Sequence, residues 1–148
     1  MEKEFVIYSL ALRMKKLGYN GSCFAFYQVE NFEEKPCGVD DRDEYIRTGF
    51  ATCKNSEIPE HFTSAPTYSQ AFRWFREKYG LSGWVDESFG GGLRRGVISI
   101  KSEIGSKYYP TTTKLFYTYE EAELDCLEKL IEIVEQTNAE MTEHGVYK

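Results

Sequence analysis

Between Phe5 and Leu17, apolar residues recur at Val6, Leu10, Met14 and Leu17 while Arg13, Lys15 and Lys16 take the other side. That spacing predicts a first amphipathic helix, stopped by Gly18. From Ser22 to Val29 the period drops to two, with Cys23, Ala25, Tyr27 and Val29 facing one way and Phe24, Phe26 and Gln28 the other. So many apolar residues on both sides predict a strand covered on both faces. The central stretch, SAPTYSQAFRWFREKYGLSGWV over 64–85, combines a helix start, an aromatic stripe and a helix stop. Thr67 and Gln70 have capping-box spacing, and Pro66 cannot extend a helix backwards. Tyr68, Ala71, Phe72, Phe75 and Tyr79 then form one stripe at the 3.6-residue period, ended by Gly80.

Trp74 does not belong to that stripe. At about 100° per residue it lies roughly 120° from Tyr68, between Gln70 and Lys78 on the mainly polar side. Either another part of the chain covers it or it is a partner surface, where tryptophan is enriched.

Further along, residues 30–66 are irregular and predict loops with one strand, around Ile46 to Cys53. Gly83–Glu87 and Gly96–Lys101 predict a hairpin joined by Ser88-Phe89-Gly90-Gly91-Gly92-Leu93-Arg94-Arg95, and Leu115–Tyr117 closes the strand region. Thr118 and Glu121 form a second capping box ahead of a long last helix. Its apolar residues Ala122, Leu124, Cys126, Leu127, Leu130, Ile131, Ile133 and Val134 cover an arc of roughly 200°, wider than the ~100° a surface helix must hide. Residues 137–148 read as a frayed tail. All three helices start with Tyr-x-x-Ala, at Tyr8, Tyr68 and Tyr119, which we read as a shared helix-start solution and not as internal duplication. The expected fold is α+β: an antiparallel sheet of about four or five strands packed against three helices, in a single domain over 1–148.

Composition narrows the picture. The 148 residues are 41% hydrophobic and 16% aromatic, enough for a real core and too apolar for disorder. No apolar run reaches the ~20 residues that span a bilayer, and the acidic start MEKEF lacks a secretory basic region, so the sequence reads as cytoplasmic, without a membrane partner. The four cysteines, Cys23, Cys37, Cys53 and Cys126, include no Cys-x-x-Cys pair and are expected to be reduced thiols. The net charge of −6 is unevenly spread: 61–117 is positive by four and 118–143 negative by eight. An acidic chain argues against non-specific nucleic-acid binding.

Several kinds of chemistry can be set aside. Asp41-x-Asp43 begins like a calcium loop, but Tyr45 stands where the third ligand belongs. Cys37, Cys53 and His61 have irregular spacing for zinc. Asp86 and Lys101 suit a metal-dependent nuclease, yet Ser99 replaces the needed carboxylate. No nucleophile motif occurs, so no catalytic residue, metal or cofactor is expected. One anion site is conceivable: Gly90, Gly91 and Gly92 allow close backbone approach, Arg94 and Arg95 adjoin them, and Arg73 and Arg76 share the polar side of the central helix. Strand alternation would send Arg94 and Arg95 to opposite faces unless the glycines bend the loop.

Three segments, YSLALRMKKLGYNGSCFAFY, APTYSQAFRWFREKYGL and TYEEAELDCLEKLIEIV, together resemble a group of small uncharacterised proteins encoded by phages and mobile elements of gut bacteria. The resemblance spans about two-thirds of the chain. Ile7 stands where a capping Thr is expected, and the 30–60 segment and triple glycine are particular to this sequence. The group supplies no catalytic residues. It implies a phage accessory or anti-defence factor acting on a host protein. Together with Trp74 and the wide apolar arc, it favours a non-enzymatic protein-interaction module that self-associates or binds such a host protein. The alternative is a small-anion or nucleotide-binding, sequestering protein using the Arg94/Arg95 loop.

Overall fold

The periodicities above become nine elements in a computed structural model that describes residues 4–29, 44–100, 107–110 and 114–143. In order they are α1 (Tyr8–Lys16), β1 (Cys23–Val29), β2 (Glu44–Cys53), β3 (Phe62–Ala65), α2 (Tyr68–Tyr79), β4 (Leu81–Asp86), β5 (Arg95–Ile100), β6 (Lys107–Pro110) and α3 (Tyr119–Glu143). The α+β class, with three helices and antiparallel strands, is as expected. The strands are divided between two three-stranded sheets, β2-β1-β3 and β4-β5-β6, instead of running through one. By its contacts the chain forms two units, Met1–Ala71 and Phe72–Lys148, where the sequence reads as one domain; the division falls inside α2.

In the first unit, β1 is the central strand, antiparallel to β2 on one side and to β3 on the other. Its residues Cys23, Ala25 and Tyr27 are buried together with Val6, Leu10, Ala11 and Met14 from the α1 region. The Tyr27 hydroxyl donates to the Val6 carbonyl at 2.8 Å and its ring meets Tyr8 edge-on at 5.5 Å, so a tyrosine fastens α1 to the sheet from beneath. Lys15 Nζ donates to the carbonyls of Phe62, at 2.8 Å, and Glu60, fixing the start of β3. The strand is not covered on both faces as its composition suggests. Phe24 is 60% exposed, and Phe26 is half-buried in a stack with Phe62 at 5.6 Å.

β3 is the strand that the sequence hides. Thr63, Ser64 and Ala65 are all buried, so no alternation marks them, and two of the three are polar. α1 starts at Ile7 with extended backbone and no side-chain cap, as the missing Thr implies. α2, in contrast, has both halves of its capping box: the Gln70 amide donates to Thr67 Oγ1 at 3.2 Å and the Thr67 amide to Gln70 Oε1 at 2.9 Å.

In the second unit, β5 lies between β4 and β6. α3 packs on the face that carries Leu81, Gly83, Gly96 and Ile98, and the Cys126 thiol donates to the carbonyls of Trp84 and Val97 at 3.8 and 3.7 Å. Along α3, Ala122, Cys126, Leu127, Leu130, Ile131 and Val134 are only 0–3% exposed, while Leu124 and Ile133 of the same arc are half-buried, so most of this arc is covered within one chain. The helix continues through Asn138 to Glu143, beyond the fraying expected there. Ala139, Glu140 and Met141 are good helix formers, and they outweigh Thr137 and Thr142, whose hydroxyls donate to the carbonyls four residues back, a mildly unfavourable arrangement in a helix. No helix among the described residues is long and apolar enough to cross a membrane.

Gly83 sets how closely α3 approaches. A Cβ there would lie 2.9 Å from Leu130 Cδ1, 3.0 Å from Cys126 Sγ and 3.1 Å from Phe72 Cε1, three atoms that are themselves packed. Gly83→Ala should therefore destabilise the protein by about 1–3 kcal/mol through overpacking. Urea unfolding measures this, and a loss below about 0.5 kcal/mol would mean that α3 yields freely.

Candidate functional site

β4 and β5 pair in register Ser82↔Ser99, Trp84↔Val97 and Asp86↔Arg95, and these six residues share the face opposite α3. None of the six is fully buried. The strands are joined by a tight loop in which Gly90, Gly91 and Gly92 all have positive φ, at 69°, 62° and 74°. Three successive left-handed residues are open only to glycine at low cost, which is why the sequence has three. The Leu93 amide closes the turn on the Gly90 carbonyl at 3.1 Å. A Cβ on any of the three glycines would meet nothing within 4 Å, so they serve the turn and not a close packing contact.

The loop aims its two arginines apart. Arg94 Nε donates to Glu87 Oε1 at 2.7 Å, and Nη1 donates to the carbonyls of Gly92 at 3.2 Å and Tyr117 at 2.6 Å. Arg94 also exchanges backbone hydrogen bonds with Phe116 at 2.8 and 2.7 Å. It is a clamp that ties the glycine loop to the segment preceding α3. Arg95 goes to the open face, where its guanidinium carbon lies 4.5 Å from the centroid of the Phe89 ring. Its Nε is buried with no hydrogen-bond partner. Across the ladder, the Ser88 amide at 3.0 Å holds the Asp86 carboxyl below its ordinary range, with the charge of Arg95 adding to the effect. The glycines do turn the chain sharply, yet Arg94 and Arg95 keep the opposite faces that alternation assigns them.

The other expected site residues lie on α2. Arg73 is exposed and pairs with Glu77 one turn on, at 3.6 Å, while Arg76 is exposed. No hydrogen bond or ion pair joins either to the loop among the described residues. Trp74 is half-buried on its own helix. Its ring meets Phe75 edge-on at 4.9 Å and Tyr79 at 5.4 Å, and the Lys78 ammonium lies 5.1 Å from its centroid. The acidic residues 40–43, Cys37, Lys101 and Glu103 lie outside the described residues. Among the residues described, no group of His, Cys, Asp and Glu is arranged to hold a metal ion.

The open face carries a feature that the sequence reading overlooks. Trp84 is 40% exposed and Phe89 38%, on either side of Arg95. On the segment bridged to Arg94 through Phe116, Leu115 and Tyr117 are 40% and 76% exposed. Trp84 and the Phe89–Arg95 stack thus stand on one side of the sheet, and Leu115 and Tyr117 are exposed on the segment bridged to Arg94. The alternation Ser82-Trp84-Asp86 against Arg95-Val97-Ser99 is the signal that could have found them. Comparison with known protein families, with characterised proteins and with solved structures finds no match to this chain.

The clamp yields a stability prediction. Arg94→Ala removes three N–H donors from exposed acceptors and should cost about 1 kcal/mol, solvent replacing part of what is lost. Arg73→Ala breaks only an exposed pair and should cost less than about 0.5 kcal/mol. Parallel urea melts rank the two, and equal losses would mean that Arg94 is not a clamp.

Proposed function

We propose that the protein is a non-enzymatic interaction module whose contact surface is the open face of the second sheet, centred on Trp84, Phe89, Arg95, Leu115 and Tyr117. The observation that carries this reading is that exposed Trp84 and Phe89 flank Arg95 on a sheet whose other face carries α3, with exposed Leu115 and Tyr117 on the segment bridged to Arg94. Contact hot spots are enriched in Trp, Tyr and Arg, and exposed apolar groups that adjoin one another mark interaction sites more than scattered ones do. The partner is a second copy of the chain or a host protein, and an accessory or anti-defence role in a phage or mobile element is the setting that the resemblance suggests. The surface differs from the one expected at Trp74, which rests against its own helix, and from the α3 arc, which is mostly buried.

Small-anion or nucleotide binding is the weaker reading. It requires Arg94 and Arg95 to converge beside Gly90–Gly92, whereas Arg94 directs three donors to internal acceptors and Arg95 alone faces outward.

Sedimentation across the micromolar range reads self-association, and capture from the host followed by reconstitution with the purified partner reads a heterologous complex. In whichever complex forms, Trp84→Ala and Tyr117→Ala should each weaken binding by about 30-fold or more, the loss of a hot spot. Trp74→Ala should leave it within about threefold, as expected of a residue away from the contact. A protein that stays monomeric and captures nothing, or a complex that depends on Trp74 and not on Trp84, would end this reading.

A further inference from the structure

A separate feature of the first unit concerns its cysteines. β1 and β2 pair in register at Cys23↔Cys53, at the end of the ladder, and both thiols are free. Directly opposed residues of an antiparallel pair hold their Cβ atoms about 4.5–5.5 Å apart on the same face. A disulfide needs about 3.5–4.5 Å, so the two positions fall short of bonding geometry by about 1 Å. The backbone beside them has slack to close that gap. The register shifts between Cys23↔Cys53 and Ala25↔Thr48, which sets residues 49–52 of β2 opposite Phe24 alone. Such an excess leaves the bulged strand locally unpaired and bendable.

We propose that Cys23 and Cys53 are a disulfide-forming pair, which an oxidising small-molecule disulfide converts to a bond locking β1 to β2.

The two thiols differ in a way that sets the order of events. Cys53 is half-exposed and Cys23 is buried. Cys53, as thiolate, attacks one sulfur of the external disulfide, forms a mixed disulfide and releases one small thiol. Cys23 then attacks the Cys53 sulfur, forms the Cys23–Cys53 bond and releases the second small thiol. The two protein thiols are oxidised by two electrons, the external disulfide is reduced to two thiols, and the two protons end on those leaving groups. Burial raises the Cys23 thiol above its ordinary range, which keeps it from reacting first with external reagents. Neighbouring hydroxyls offset part of that burial cost. The Tyr19 hydroxyl lies 3.4 Å from the sulfur, and the buried Ser64 hydroxyl is a second neighbour that acts to lower the thiol's pKa, both weaker than burial. Cys53 is likewise raised by burial, less deeply placed, with the neighbouring Cys23 adding to the shift. Cys126, buried against β4 and β5 with its thiol pushed up to about 12, stays out of this exchange.

The test is peptide mapping by mass spectrometry, without reduction, of the folded wild-type protein after treatment with oxidised glutathione and alkylation of the remaining thiols. A Cys23–Cys53 linked peptide, lighter by two hydrogens than the separate peptides and reversed by dithiothreitol, is expected, and it should form equally in Cys37→Ser. In Cys23→Ser the reaction should stop at a glutathione adduct on Cys53. Cys53→Ser, which changes only the half-exposed member, should leave Cys23 unmodified even if Cys23→Ser fails to fold. A wild-type protein in which Cys53 stays glutathionylated beside a free Cys23, links to Cys37 instead, or remains wholly unmodified would overturn the proposal.

Discussion

Neighbouring residues on a paired strand leave the sheet in opposite directions, and that constraint decides what each half of this protein can present. In the second sheet it gives Gly83 and Ile98 to α3 and Trp84 and Val97 to the other side. It gives Arg94 to the clamp and Arg95 to the open face. Bending the loop through three left-handed glycines does not break the rule, because the Arg94–Phe116 bridge resumes regular pairing on the very next residues. The same rule in the first sheet sends Cys23, Ala25 and Tyr27 into the core and leaves Phe24 outside.

Helices were legible in the sequence because they carry local signals that need no partner to be read. Thr67 with Gln70 marks the start of α2, and the Gln70 and Thr67 amides are bonded as that spacing requires. Tyr-x-x-Ala marks all three starts. Strands were less legible in proportion to how evenly they are buried. β3 places Thr63, Ser64 and Ala65 all in the interior, so its polar residues imitate a loop. β6 ends in Pro110, whose ring removes a ladder donor and reads as a breaker, although an edge strand tolerates it. The division into two sheets follows from pairings between distant residues, such as Ala25↔Ala65, which no local pattern encodes.

The site was legible in its parts and misread in its assembly. The glycines and arginines stand out in the sequence, and their charge suggests a bound anion. What the sequence does not show is the acceptors: Glu87 five residues before the last glycine, and the carbonyls of Gly92 and Tyr117. Trp74 attracts notice because it leaves its helix stripe. Yet a helix can satisfy an off-stripe ring with its own next turn, as Tyr79 and Lys78 do here. Trp84 sits in a short alternating segment where one aromatic per face looks ordinary, and only the packing of α3 on Gly83 shows that its side is the open one.

The energetics of Arg95 are set by its stack on Phe89 and by its buried Nε. Stacking a guanidinium on a phenyl ring is worth about 0.5–1 kcal/mol when exposed and about 2 or more once desolvated. Burying its Nε without an acceptor costs about 1–3 kcal/mol, a loss the stack alone offsets only partly. Asp86 supplies charge across the ladder but accepts its hydrogen bond from Ser88 instead. Excluding water from the Phe89 ring would strengthen the stack, whereas the buried Nε lies out of reach of groups outside the chain. The desolvation of Nε is already met within the chain, so this guanidinium has less hydration left to lose than a fully solvated one.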